Sequence, residues 1–170
     1  MNILRINFDE LYQRHLCRHS QFGINLWHVL SVYGVYFSIY SLVAFVIRTL
    51  LPNFTPTESG LLLLLLSLPY LVILVRNTPA SVMLLTLVST ALLIICAVLT
   101  PGIPFWLHLI LIPAWHRVQV ISHKRYALQR DMSAFAQKYK KGTTLFVLLA
   151  LYELPILLHY LACVRKDWVR

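Results

Sequence analysis

Residues 60–76 read GLLLLLLSLPYLVILVR. No charge interrupts the run before Arg76, and it is long enough to serve as a membrane helix rather than a low-complexity linker. Comparable segments lie on either side. Ile24–Leu51 is apolar and rich in aromatics (Trp27, Tyr33, Tyr36, Phe37 and Tyr40), and Pro52 and Pro56 close it in a short loop. Residues 79–99 are almost purely aliphatic and read as lipid-facing scaffold. The segment beginning near Ile103 loses its apolar character at His116, which predicts one helix whose polar lower half emerges from the bilayer. The last segment, Thr143–Val164, contains Glu153 and Pro155.

Composition agrees with this pattern. Of 170 residues, 59% are hydrophobic and 12% charged, against about 25% charged in soluble domains. A soluble fold of this length has too little interior for so much apolar surface. With no linker-like stretch, residues 1–170 read as one domain. The expected class is all-α: an integral membrane helical bundle of about five hydrophobic segments, with an N-terminal amphipathic helix and a basic interfacial helix. Phe8, Leu11, Tyr12 and Leu16 recur at helical spacing over Phe8–Ser20. Gly23 is expected to mark a bend. The N-terminus lacks the charged-then-apolar order of a signal peptide, so the first membrane segment is expected to direct insertion.

The net charge of +9 is concentrated. Arg117, Lys124, Arg125, Arg130, Lys138, Lys140 and Lys141 face only Asp131 between His116 and Lys141. Flanked by membrane segments, this patch follows the positive-inside rule and does not indicate nucleic acid as a partner. The N-terminus and residues 116–141 are therefore expected in the cytoplasm. Five crossings place the C-terminus, with Arg165, Lys166 and Arg170, on the opposite side, which conflicts with the same rule. A last segment broken or re-entrant at Glu153 and Pro155 is the other option.

Histidines carry the functional signal. His15 and His19 are one helical turn apart, a spacing that lets two imidazoles share a metal. Asn25 and His28 are three apart at the start of the first membrane helix. Downstream, His108, His116, Gln119 and His123 fall within about 80° on one helical face. Both groups lie at the same side of the membrane under the charge rule. All-nitrogen ligation suits Fe, Zn or Cu, and Cys17, Cys96 and Cys163 form no competing CxxC pair. They read instead as buried small apolar residues. Iron that meets dioxygen and a laterally entering lipid chain is the most economical interpretation. The competing reading is of interfacial histidines that snorkel beside Trp115 and Arg117. His108, set deeper, is expected to make an interhelical hydrogen bond.

Tyr12, His15 and His19, followed by Asn25 and His28, resemble the N-terminal signature of small multi-pass membrane dioxygenases that use Fe(II) on 2-hydroxy fatty acids in alpha-oxidation. Trp115 followed by Gln119, Ser122 and His123 is similar to that family's second signature. Asn25 to His28 is one residue shorter than the family spacing. Ser122 stands where the family has glycine, and Ala127 where it has an acid. The resemblance implies Fe(II) held by His19, His28, His116 and His123, with His15 a further candidate. A fatty acid or other lipid and dioxygen would be its substrates.

Arg117, Lys124 and Arg125 are candidates to hold a substrate carboxylate. Asn25, Gln119 and Glu153 are candidate supporting residues. Glu153 is expensive inside an apolar run and reads either as a functional acid, with His159, Arg117 or a metal as its partner, or as a neutral or arginine-paired structural one. Two other readings compete with the oxygenase. One is a haem-binding electron carrier with two axial histidines; the other is a non-enzymatic lipid-binding scaffold. Serine hydrolase, ATPase and dinucleotide-binding motifs are absent.

Overall fold

The computed structural model describes residues 5–100, 102–126, 133, 137 and 142–168. Its continuous helices are α1 Phe8–His19, α2 Phe22–Leu50, α3 Pro56–Asn77, α4 Ala80–Leu99, α5 Phe105–Arg125 and α6 Thr143–Leu158. A π-helical turn, His159–Cys163, and a 3-10 turn, Arg165–Asp167, follow α6. No β-strand occurs among the described residues. The protein is an all-α bundle. Four of its helical stretches are long and apolar enough to cross a membrane: α2, α3, α4 and Leu145–Cys163. α5 is apolar only as far as Trp115 and then carries His116, Arg117, Gln119, His123, Lys124 and Arg125. Ser133 and Gln137 are helical, while the rest of the expected basic helix, residues 127–132, 134–136 and 138–141, lies outside the described residues.

Local chemistry sets the helix ends. Asn7 caps α1 by accepting from the Glu10 amide at 3.2 Å. α3 starts earlier than the leucine run because Thr55 and Glu58 form a reciprocal capping box, with Pro56 in the first turn. The turn between α1 and α2 falls at Ser20 and Gln21, so Gly23 is helical rather than the expected bend.

Gly23 serves a close approach instead. α2 and α5 form the most extensive helix pair. They run antiparallel: Gly23 meets Tyr126, His28 meets His123, Gly34 meets Trp115, Phe37 meets His108 and Phe45 meets Phe105. A Cβ on Gly23 would clash with the hydroxyl end of Tyr126, and one on Gly34 with the face of the Trp115 indole. Glycine at position 34 lets the two helices come this near.

One face of α6 is fully enclosed. Leu148, Tyr152, Leu154 and Leu157 have no exposed surface. Leu148, Tyr152 and Ile156 pack with Phe8 and Leu11 of α1, Leu71 and Leu74 of α3, and Val82 and Met83 of α4. Leu154 and Leu157 pack with Val29 and Val32 of α2. Tyr36 donates to the Ala150 carbonyl at 2.9 Å, and Tyr160 donates to the Ser20 carbonyl at 2.7 Å. These contacts orient α6 antiparallel to α2. Its C-terminal end therefore lies beside α1, where Tyr12 donates to Asp167 at 2.8 Å. Arg165 and Lys166 stand at the same end of the bundle as the N-terminal helix, and α6 runs unbroken through Pro155. The sequence left the side of the C-terminus open; here the last helix is unbroken at Pro155 and its C-terminal end packs at the α1 end of the bundle.

Four buried hydroxyls bond along their own helices. Ser31, Ser38, Ser67 and Thr86 each donate to the carbonyl four residues back at 2.8 Å. Outward faces are apolar, with Leu61 at 62% and Leu84 at 63% exposure. Such faces suit lipid rather than water.

Candidate metal centre

α1, α2 and α5 converge at the α1 end of the bundle. His19 ends α1, His28 lies in the second turn of α2 and His123 in the last turn of α5. One nitrogen from each lies within 4.8 Å of the other two. The imidazole centroids are 4.5 Å apart for His19 and His28, 4.7 Å for His19 and His123, and 4.9 Å for His28 and His123, all edge to face.

Hydrogen bonds on the far side of two of these rings set their tautomers. His19 Nδ1 donates to the His15 carbonyl at 3.3 Å. His28 Nδ1 donates to Glu153 Oε1 at 3.2 Å. The Nε2 atom of each ring is therefore the unprotonated one. Both Nε2 atoms are buried and have no hydrogen-bond partner among the described residues. A buried polar atom without a partner is costly, and two such lone pairs beside a third imidazole fit a metal cation. Burial pushes His19 well below its ordinary value of 6.5 and His123 down to about 4, with His28 adding to both. Neutral imidazole is the metal-binding form.

The elbow between α1 and α2 holds His19 in place. Asn25 is fully buried. Its Oδ1 accepts from His15 Nε2 at 2.6 Å, and its Nδ2 donates to the carbonyls of His19 and Gln21. His15 stacks on His19 with centroids 4.3 Å apart and planes 6° from parallel. Its Nε2 is committed to Asn25, so His15 supports the cluster and is not one of its three converging nitrogens. Burial pushes His15 down to about 3.

His116 also stands outside the cluster. It is exposed, and its Nδ1 donates to Gln119 Oε1 at 3.3 Å. Gln119 Nε2 donates in turn to Glu153 Oε1 at 3.0 Å. Glu153 thus pairs with His28 and Gln119, rather than with His159 or Arg117. His159 packs edge-on against Phe8 and Tyr12. His108 is buried against Phe37, and its Nδ1 has no hydrogen-bond partner among the described residues. Ser122, buried beside His123, donates to the Gln119 carbonyl at 2.7 Å. Arg117, Lys124 and Arg125 are exposed on α5.

Two residues that secure the site carry no local signal of that role. Tyr160 ties α6 to Ser20, and Asp167 ties the C-terminal turn to Tyr12. These pairs are 140 and 155 residues apart in sequence, beyond the reach of any spacing argument. Searches of protein-family models, curated proteins and solved structures return no match to the chain.

Proposed function

We propose that this protein is an integral membrane metalloenzyme, a non-haem iron oxygenase acting on a fatty acyl or other lipid substrate. His19, His28 and His123 would hold the metal. The observation that carries the reading is the pair of buried Nε2 atoms of His19 and His28, without partners among the described residues, beside His123. Fe(II) held there would supply the capacity to activate dioxygen. The donor set is all nitrogen, as suits iron, zinc or copper. α2 is 29 residues long, about 43 Å, against a hydrocarbon core of about 30 Å. That length lets its first turns sit at head-group depth, where a lipid arrives laterally. Exposed Arg117, Lys124 and Arg125 on α5 are suited to a substrate carboxylate.

Charge supports a cytoplasmic site. Arg5, Arg14, Arg18, Arg76, Lys124, Arg125, Arg165 and Lys166 lie at the α1 end, while the other end carries Arg48 and Glu58 among the described residues. The positive-inside rule assigns the α1 end to the cytoplasm. With Cys17, Cys96 and Cys163 replaced by serine, a cysteine at Lys166 should label from the cytoplasmic side and one at Asn53 from the other. The reverse pattern would overturn this orientation.

The same donor set favours a second reading. Three imidazoles with no carboxylate ligand also form hydrolytic zinc sites. The haem reading fits less well, because imidazole centroids within 5 Å leave no slot for a porphyrin between these rings. Iron-loaded protein in detergent should consume oxygen when given 2-hydroxy or unmodified long-chain fatty acids, and zinc-loaded protein should not. Fatty acid-independent oxygen uptake, or none with either metal, would contradict the oxygenase reading.

A further inference from the structure

Glu153 Oε1 accepts two hydrogen bonds, from His28 Nδ1 at 3.2 Å and from Gln119 Nε2 at 3.0 Å. The Glu153 carboxylate can only accept, which fixes the Gln119 amide with Nε2 toward it and Oε1 toward His116, so that His116 Nδ1 is the donor at 3.3 Å. A flipped amide would set its carbonyl oxygen against the Glu153 carboxylate. The result is a directional chain, His116 to Gln119 to Glu153 to His28, that crosses from α5 through α6 to α2. It begins at an exposed side chain and ends at a buried ring, since His28 is 4% exposed. Glu153 is the one charged residue of α6, and its side chain is 30% exposed. Leu154, Ile156 and Leu157, its near neighbours in sequence, are all buried apolar residues.

Resting on the metal reading above, we propose that Glu153 is the positioning residue of the metal centre, with Gln119 as its anchor and His116 as the surface end of the chain. Glu153 holds the His28 ring with Nδ1–H outward and the Nε2 lone pair inward. Its negative charge also makes that imidazole a stronger donor to a cation. Carboxylate–histidine–metal arrangements act in this way, and losing the outer partner costs about 10–100-fold in metal affinity. His116 belongs to this chain rather than to the ligand set. Its effect passes through two intermediaries and should be the smallest.

Titration of the full-length metal-free protein in detergent with Co(II), followed by the visible d–d spectrum, tests the assignment. His28→Ala should abolish the wild-type spectrum. Glu153→Gln, which keeps the size and loses the charge, should weaken Co(II) binding about 10–100-fold while the apoprotein keeps its melting temperature. Glu153→Asp should recover part of the loss, and Gln119→Met should weaken binding by less than Glu153→Gln does. Wild-type affinity in Glu153→Gln, with binding lost in His28→Ala, would overturn the positioning role and leave the metal centre standing. A Glu153→Gln variant that melts early, with Asp giving no recovery, would reduce Glu153 to a packing role and equally overturn it. Wild-type protein that binds no Co(II) would overturn the metal centre and this proposal together.

Discussion

Asn25 contributes to the centre without touching the point where the three nitrogens meet. Its amide takes up His15 Nε2 and the carbonyls of His19 and Gln21, so one buried side chain fixes both the neighbour and the backbone of His19. Truncation leaves those groups unpaired, at about 1–3 kcal/mol for each that stays buried. Asn25→Ala should therefore lower the melting temperature in detergent and weaken metal binding in parallel. An unchanged melting temperature would show that the elbow is held elsewhere. The histidines were legible as chemistry, but their division of labour was not. His116 and His123 share a helical face, yet seven residues span about 10 Å along the axis, too far for one ion to bridge. His15 and His19 do face the same way, but His15 is turned to Asn25, a partner no periodicity reveals.

Helix boundaries follow the apolar runs closely, with α2 and α4 beginning and ending within two residues of the segments read from hydropathy. α3 is the instructive exception. Thr55 and Glu58 start it a full turn before Gly60, and this capping pattern stands plainly in the sequence beside the more conspicuous leucines. The role of Gly23 was misread for a different reason. Gly23 and Gly34 both lie within α2, and what they accommodate is a ring on or just past α5, about half the chain away. Because the Trp115 indole lies directly on Gly34, even one methyl group must push α5 outward. Gly34→Ala should destabilise the bundle by about 1–3 kcal/mol, read as a lower melting temperature, whereas Gly102→Ala, in open space, should change little. Equal stability of the two variants would mean that the α2–α5 seam is looser than the close packing requires.

Taken as a molecule, the bundle brings most of its described charges, the imidazoles of His15, His19 and His28, and both described ends of the chain to one pole. The membrane character and the all-α class were readable from composition and run length, since both are sums over many residues. The direction of α6 was not, because counting every apolar run as one crossing pointed one way and the basic C-terminal residues pointed the other. Tyr160 on Ser20 and Asp167 on Tyr12 fix that direction through tertiary contacts. The central claim is that three of the seven histidines form one metal centre. Elemental analysis of protein purified without chelators tests it most directly when wild type is compared with His28→Ala and His116→Ala. The account predicts close to one iron per wild-type chain, loss of the metal in His28→Ala and retention of most of it in His116→Ala. Metal-free wild type, or equal metal in wild type and His28→Ala, would contradict it.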